Sequence, residues 1–511
     1  ADLIIPAHPG LRAGMPFHRA AQIPFKRTGV ILLDPQAKRI HHAYQLLRIG
    51  IAGPRGGQEQ CARLLKGTGL HQIARLFDIG QGAQRQQREA GRLRKGSGKA
   101  GWARHLALLL AVCGGAVAAE PLTPEQFHQF DPAKARLGQL LFHDKILSGN
   151  RNISCATCHH PDLAGTDRLS LGIGEGGRGL GPDRTPGTGR DRIAKRIPRN
   201  APALYNLGHR SITSMFHDGR LEVSDLYGNG YDSPAEEWLP QGLETVLAAQ
   251  TLFPITSFAE MAGHSEENEV AGAVRDRIDY GWPIIAKRVR VIPEYGALFV
   301  DSFDHIDRAD QVTIVEIGNA IAAFIALEWQ SMDSPYDAFL ADGSPLPPQA
   351  EAGRQLFFGK AGCATCHSGP LFTDHRFHAV GLPPFGPGRV RRFDPYARDV
   401  GRMAATDDLE DAYRFRTPSL RNVALTAPYG HNGAYPTLRG MIRHMANPRA
   451  ARADWRPDMA RLPDVPWLAA ADFAVLQDRF EMARQARALD VTPVALTEAE
   501  ITQIEAFLHS L

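Results

Sequence analysis

Two identical pentapeptides decide the class of this chain: Cys155-Ala156-Thr157-Cys158-His159 and Cys363-Ala364-Thr365-Cys366-His367. The other cysteines, Cys61 and Cys113, precede both motifs. In a Cys-x-x-Cys-His motif the thiols form thioethers with a haem, and the adjacent histidine binds its iron from one face. The sequence therefore predicts two covalent c-type haems, ligated by His159 and His367.

Other sites explain these motifs less well. A structural zinc site would need both cysteine pairs to converge and gives no role to the histidine after each pair. A thioredoxin-like pair requires a strand-to-helix context, which neither motif has. Each motif instead follows an amphipathic segment, 133–142 or 349–358, with Lys145 and Lys360 at corresponding positions. This repetition predicts a duplicated helical haem module.

The remaining pattern is helix and loop. Apolar residues recur along one face of 311–329, and Thr497-x-x-Glu500 is a capping box that opens a final helix. Few segments are typical of strands. A chain of 511 residues exceeds one ordinary domain, and its 50 glycines and 36 prolines favour long ordered loops. We predict a mainly α fold with two cytochrome c-like haem domains from a duplicated module. We place them at 120–340, joined by the C-terminal helix 497–511, and at 341–496, with the join within 333–348.

The first 119 residues differ in character from the rest. They carry 18 basic and 5 acidic side chains, which leaves 40 and 50 for residues 120–511. A basic stretch, an apolar run at 106–112 and small residues at 116–118 predict a secretory signal at about 93–119, preceded by a leader. We expect an exported, periplasmic protein. The acidic remainder argues against nucleic acid and for a basic protein partner, and no apolar run reaches the ~20 residues of a membrane anchor.

The order of short strings resembles one family. The chain is similar to the bacterial di-haem cytochrome c peroxidases and their relative MauG from about Leu137 to the C-terminus, through both haem motifs and the strings Arg199-Asn200-Ala201-Pro202, Phe216-His217-Asp218-Gly219-Arg220, Pro254…Glu260-Met261, Arg416-Thr417-Pro418-Ser419-Leu420-Arg421-Asn422 and Thr426-Ala427-Pro428-Tyr429-Gly430-His431. The resemblance implies that the first haem is the peroxidatic site and that the second supplies its electrons. Hydrogen peroxide would be reduced to water, with a small soluble cytochrome c or a cupredoxin as donor. A homodimer is also expected, since family members often form one.

The second haem transfers electrons without binding peroxide, so protein should fill both axial positions of its iron. A thioether favours ferrous iron and raises the potential. The family's spacing makes Met445 the ligand opposite His367, in preference to Met441 and Met403. Met is most often core filler, which is the ordinary alternative for each of them. MauG has Tyr at this place, so Met445 favours a peroxidase with an external donor.

The first haem should keep one face free, with His159 on the other. Peroxide cleavage needs a carboxyl group that moves a proton, and the resemblance implies Glu260, with Gln250 orienting peroxide or water and Phe216 forming an apolar wall. Many family members place a loop histidine on the free face until reduction ejects it. Here Glu175 stands at that place, so we expect a site that is open when oxidised; a solvated loop acid is the alternative.

Two further sites follow from the resemblance. His217 stands where the family often has a Trp between the haems, which places MauG-like hole sharing in doubt and raises Trp238 as a substitute relay. One calcium ion is expected at the Asn200 side chain and the carbonyls of Thr426 and Pro428. Asn-Ala-Pro could equally form an ordinary turn. The basic run is expected to be largely a solvated face, with some members pairing haem propionates. It comprises Arg184, Arg190, Arg192, Lys195, Arg196 and Arg199.

Two other functions remain open from the sequence. A MauG-like enzyme would use the same haems to oxidise Tyr or Trp residues of a partner protein. A pure electron-transfer protein would have both irons six-coordinate.

Overall fold

A computed structural model describes residues 121–189, 192–391, 394 and 397–511. The predicted leader, the signal and Arg190 lie outside these residues. The chain is mainly helical, as predicted. Its helices are α1 Pro132–His143, α2 Cys155–Cys158, α3 Val246–Thr251, α4 Glu269–Asp276, α5 Gly281–Arg290, α6 Pro293–Ser302, α7 Ile314–Glu328, α8 Pro335–Asp342, α9 Pro348–Phe358, α10 Met403–Thr406, α11 Leu438–Ala446, α12 Pro448–Asp454, α13 Ala469–Asp472, α14 Arg479–Arg487 and α15 Glu498–Leu508.

Strands in the described residues are only two or three residues long. They are β1 Gly177–Arg178, β2 Thr185–Pro186, β3 Ser214–Met215, β4 Leu221–Val223, β5 Tyr231–Asp232, β6 Phe377–His378 and β7 Phe415–Arg416. All pairings are antiparallel: β1 with β2, β4 between β3 and β5, and β6 with β7. Strands β6 and β7 bring the segment after the second haem motif beside the Arg416-Thr417-Pro418 string.

The first core forms where α1 crosses α7. Thr313 and Glu316 form the capping box that begins α7, and Asp131 caps α1 through the amide of Ala133. The two helices approach so closely at Gly138 that a β-carbon there would overlap the carbonyl oxygen of Ala320. Burying the apolar faces of this pair encloses most of the buried side chains between residues 122 and 329.

The second core forms where α9 crosses α15. A β-carbon at Gly353 would overlap the carbonyl oxygen of Gln503, and the rings of Phe357 and Phe507 lie 5.3 Å apart beside the crossing. The predicted capping box at Thr497 is confirmed. Helix α15 packs mainly on α9 in the second core, and its Phe507 also contacts Tyr336, so its partners lie on both sides of the expected boundary at 340. Its apolar face matches α9, and sequence periodicity does not identify a helix's partner.

The predicted join at 333–348 contains helix α8, whose Tyr336 belongs to the second core. A buried ion pair between Arg421 and Asp337, at 2.8 Å, fixes α8 to the segment that follows β7. All described residues lie in one compact unit, 113–511. No helix in 121–511, as far as the structure describes it, combines the length and apolar character required to cross a bilayer.

Candidate haem sites and the residues between them

The first motif forms the short helix α2, and its histidine is oriented by a backbone carbonyl. His159 Nδ1 donates to the carbonyl oxygen of Gly165 at 2.9 Å, which leaves the Nε2 lone pair available to a metal. Burial lowers the pKa of His159 and keeps the ring neutral. Burial also raises the pKa of the Cys155 and Cys158 thiols to about 12, so both are protonated at neutral pH.

The second motif repeats this arrangement. His367 Nδ1 donates to the carbonyl oxygen of Phe372 at 2.9 Å. Both accepting residues have left-handed backbones, with φ of 69° at Gly165 and 54° at Phe372. A backbone carbonyl from a left-handed residue shortly after the motif therefore orients the histidine in each case. Two cysteines beside an oriented, neutral histidine form the donor set that a covalently attached haem requires.

Glu260, Gln250 and Phe216 lie in the half of the chain that contains the first motif. Glu260 lies on the single π-helical turn Phe258–Ala262, where its charge acts on the Cys158 thiol and on the Arg220 guanidinium. The Oε1 atom of Gln250, in α3, is buried with no hydrogen-bond partner among the described residues. An orphaned buried oxygen is rare in a finished core, and it suits a site that binds a further molecule.

Phe216 has a backbone conformation that costs energy. Its φ of 64° is unusual for a bulky residue, and such outliers concentrate at functional sites. The ring lies 6.0 Å from that of Phe253 and carries the Arg220 guanidinium at 3.3 Å from its centre. The Phe216 ring, the expected apolar wall of the site, therefore has an aromatic ring near it and a cation over its face.

The loop containing Glu175 is held in place from several sides. The side-chain amides of Asn150 and Asn152 donate to Glu175 Oε1 at 2.8 and 2.5 Å. Buried Arg184 donates to the carbonyls of Ile173 and Gly174, each at 2.6 Å. Glu175 is thus neither a solvated loop acid nor free to swing. The sequence analysis missed Asn150 and Asn152, although both immediately precede the first motif.

Met445 lies on α11, which packs against α15 of the second core. It is half-buried and belongs to none of the hydrophobic clusters of the described residues, whereas Met441 packs in two of them and Met403 is buried in another. His444, the next residue, is fully buried, with Nδ1 bonded to the Tyr435 hydroxyl at 2.9 Å and Nε2 to a carbonyl at 2.8 Å. Both ring nitrogens of His444 are therefore occupied.

His217 connects the two halves of the chain. Its Nε2 donates to the carbonyl of Asn200 at 3.1 Å, and its own carbonyl accepts from the amide of Arg416 at 2.8 Å. Burial, with the charge of Arg199, lowers the pKa of His217 to about 4. His431 contacts the same region. Its carbonyl accepts from the Asn200 amide at 2.8 Å, and its ring stacks on that of Phe415 with the ring centres 3.5 Å apart.

Of the expected calcium ligands, Asn200 is bonded to the string that contains the other two. The Asn200 amide binds the carbonyl of His431, in the string that also contains Thr426 and Pro428, and its side-chain nitrogen donates to Leu169 at 2.7 Å. This leaves the Asn200 side-chain oxygen as the atom that could bind a cation.

A buried charge cluster that the sequence analysis missed lies beside His217. Arg199 binds Asp218 at 2.7 Å and Asp399 at 2.8 Å, and Arg220 binds Asp218 at 2.9 Å. Burial opposes the charge of each aspartate, yet the neighbouring cations together, Arg199 foremost among them, hold the pKa of both carboxyl groups below the ordinary value. Asp218, in the Phe216–Arg220 string, could have indicated this charge cluster, but the residues of the cluster lie far apart in the sequence.

Two expectations about charged and aromatic residues are corrected. The basic run is not largely a solvated face, since Arg184, Arg196 and Arg199 are all buried and bonded. Trp238 is 45% exposed, and its ring packs on the Arg277 guanidinium at 3.5 Å, so it does not substitute for the family's buried Trp between the haems.

A half-buried cation, Arg416, also suits an anionic group of a cofactor. Burial lowers the pKa of Arg416 to about 10, and its Nε donates to the carbonyl of Phe216 at 3.3 Å. Arg416 makes no ion pair with any described residue. The acidic propionates of a haem would supply the missing partner.

Comparisons with known proteins agree with this geometry. The family model described as di-haem cytochrome c peroxidase matches residues 132–344. The cytochrome-c peroxidase IdrP1 of Denitromonas iodatirespirans is 30% identical over 368 residues, 65% of this chain and 80% of the relative. The methylamine utilization protein MauG of Methylorubrum extorquens is 29% identical over 329 residues, 64% of this chain and 70% of the relative. The crystal structure of a MauG-like protein associated with microbial copper homeostasis superposes with a TM-score of 0.50 at 25% identity, covering 78% of this chain and 94% of that one. With both haem motifs in place and these similarities along most of the described chain, this protein belongs to the di-haem cytochrome c peroxidase family.

Proposed function

We propose that this protein is a periplasmic di-haem c-type peroxidase. It reduces hydrogen peroxide to two waters, using two protons and two electrons from a small c-type cytochrome or a cupredoxin. One observation carries the proposal: the two motifs orient their histidines in the same way, while different residues surround them. Glu260, Gln250 and Phe216 lie beside the first motif, and Met445 is on the helix that packs in the second core.

The two halves are proposed to be cytochrome c-like modules from one duplicated unit. In each half a helix preceding the motif crosses a later helix at a glycine, Gly138 or Gly353. The carbonyls of Pro202 and Pro418 act on His159 and His367 in the same sense. Shared crossing, histidine orientation and carbonyl support are unusual in unrelated halves.

At the first haem, His159 is the proposed iron ligand and the haem supplies the redox chemistry. Glu260 holds and moves the proton that must pass between the two peroxide oxygens, as a general acid–base group within hydrogen-bond reach. Gln250 accepts a hydrogen bond through its orphaned Oε1 and thereby orients peroxide or water. Phe216 would exclude water from the same side. Asn150 and Asn152 occupy the Glu175 carboxylate, and a carboxylate is a poorer haem ligand than imidazole, so the site would be open without prior reduction.

At the second haem, His367 and Met445 would hold the iron. The bonds of His444 to Tyr435 and to a backbone carbonyl set the rotation of α11 and so position Met445. His217 couples the halves through its hydrogen bonds with Asn200 and Arg416. Because its pKa is about 4, His217 is neutral at pH 7 and adds no charge between the haems.

The remaining elements of the proposal are a calcium ion held by Asn200, Thr426 and Pro428, export through the predicted signal, and a homodimer. The oxygen donors at the calcium position are the type that this ion prefers.

Low-temperature EPR and a pyridine haemochrome assay of the oxidised protein test the assignment. The expected result is two haems per chain, one high-spin with an open position and one low-spin with Met. Fewer than two haems, or two low-spin irons, would refute it; the latter result would indicate the pure electron-transfer protein.

A MauG-like oxidation of Tyr or Trp in a partner protein is the second candidate, favoured by the similarity to MauG. Turnover separates the two. Rapid peroxide-dependent oxidation of a reduced cytochrome supports the peroxidase, whereas a stable oxidised state that cytochrome does not discharge supports the alternative.

A further inference from the structure

One surface of the first half combines acidic side chains with large exposed apolar side chains. The segment 221–249 contains six acidic residues and no Lys or Arg. Glu222 pairs with Arg402, and Glu244 pairs with Lys134. The other four acids form no ion pair with the described part of the chain: Asp225, Asp232, Glu236 and Glu237. We call the β4–β5 hairpin together with the turn Glu236–Trp238 the hairpin surface.

The hairpin surface is one continuous patch. The side chain of Asn229, near the hairpin tip, donates to the carbonyl of Glu236 at 2.8 Å and thereby joins the tip to the turn. Burial and the carboxylates of Glu236 and Asp232 raise the pKa of Tyr227, which places these acids around one phenol. The acids therefore surround the hairpin tip and are not scattered along the chain.

Large apolar side chains lie exposed within the same patch. Val223 is 55% exposed, Leu226 66% and Trp238 45%. The Arg277 guanidinium covers the Trp238 ring and also lies 4.2 Å from Tyr280, so this edge already holds one cation on aromatic rings. Grouped apolar residues with a charged border are characteristic of protein interaction surfaces.

The patch borders both halves of the molecule. Strand β3 pairs with β4 and leads directly to Phe216. On the other side Arg402, which holds Glu222 at 3.1 Å, lies over the ring of Phe377 at 4.0 Å, next to the second motif. A protein bound at the hairpin surface would therefore lie beside the segment that connects the two sites.

We propose that the hairpin surface docks a basic soluble redox protein, whose lysine rim faces the four unpaired acids and whose apolar centre covers Leu226 and Val223. This inference rests on the proposed peroxidase function and deepens it by giving the donor's charge and binding place. A second copy of the chain is disfavoured as the partner at this surface, because residues 120–511 carry 40 basic and 50 acidic side chains and the patch would face its own charge; a dimer would use another surface.

Calorimetric titration of the oxidised holoprotein with mitochondrial-type cytochrome c, a basic protein, tests the proposal. Two double variants are compared: Glu236→Gln with Glu237→Gln in the patch, and the control Glu294→Gln with Asp301→Asn on α6. Both remove two exposed acids, but α6 packs against α1 and α5 and away from the hairpin. We expect the patch variant to weaken binding about three- to ten-fold at low salt and the control to change it less than about two-fold.

Additional measurements distinguish failure of the docking inference from failure of the proposed peroxidase function. Leu226→Ser should weaken binding at low and high salt alike, and lysine-acetylated cytochrome should lose the dependence on the patch. Equal affinities for both double variants, or a wild-type dimer in sedimentation that the patch variant abolishes, would overturn the docking inference. Peroxide turnover with a small non-protein reductant reports on the function alone. If the patch variant weakens binding but the protein shows no such turnover, the peroxidase function is rejected while the docking inference stands.

Discussion

Removing the Arg199 guanidinium is expected to destabilise the protein strongly, because buried carboxylates lose their cation. Arg199 bonds Asp218 at 2.7 Å and Asp399 at 2.8 Å, and the Asp218 side chain is fully buried. Asp218 retains Arg220 at 2.9 Å, whereas Asp399 retains the amide of Gly401 at 3.0 Å. Breaking a buried pair from one side costs about 3–5 kcal/mol, and we expect Arg199→Met to lower the free energy of unfolding by that amount at pH 7.

The cost should depend on pH with a definite sign. Asp218 and Asp399 have pKa values below the ordinary one, so each stabilises the fold above the unfolded pKa of about 3.9 and loses that contribution as pH falls. In Arg199→Met this depression is reduced. The difference from wild type is therefore largest near neutral pH and shrinks below about pH 4.

Urea unfolding of the holoprotein, followed by circular dichroism at several pH values, measures both effects. Adding Asp399→Asn to Arg199→Met should recover part of the loss, because the uncompensated charge disappears. Arg308→Met is the control, since Arg308 pairs with Asp310 on the exposed surface and should leave the unfolding midpoint unchanged. Equal losses for Arg199→Met and Arg308→Met, or a loss independent of pH, would refute this account of the cluster.

Three further outcomes are expected. Glu260→Gln should lower kcat/KM for peroxide about 10²- to 10⁴-fold with both haem spectra intact, whereas loss of the spectra would point to a structural role. Met445→His should lower the reduction potential of the second haem, and Met441→Leu should not; a spectroelectrochemical titration distinguishes them. Gly353→Ala should lower the free energy of unfolding by about 1–3 kcal/mol, because its methyl group meets the Gln503 carbonyl, and an unchanged urea midpoint would contradict the crossing.

Local features of the fold were predictable from the sequence, and distant contacts were not. The capping box at Thr497 and the periodicity of 311–329 predicted two helices that the structure contains, because capping and amphipathicity are encoded within a few residues. The packing of the last helix mainly on α9 was not predictable from the sequence. That choice depends on the shapes of two apolar faces, including the close approach at Gly353, and no local pattern records it.

The same division applies to the sites. Both haem motifs could be identified because the two thiols and the histidine that hold one haem lie within a single short motif. The support of Glu175 by Asn150 and Asn152 was missed, since asparagine is also the commonest kind of turn residue. The buried state of Arg199 depends on two carboxylates that both follow it in the sequence, Asp218 and, 200 residues away, Asp399. Only the folded chain brings such charges together.

The crossing at Gly353 also determines which segments each core requires. Helices α1 and α7 are both complete by residue 328, so the first core can begin to assemble without α15. The second core requires α15, Glu498–Leu508, although its haem motif begins far earlier at Cys363. The second cysteine pair therefore stays accessible to an attachment machinery until α15 has packed, and a deletion of residues 498–511 would remove this closing helix while leaving α1 and α7 intact.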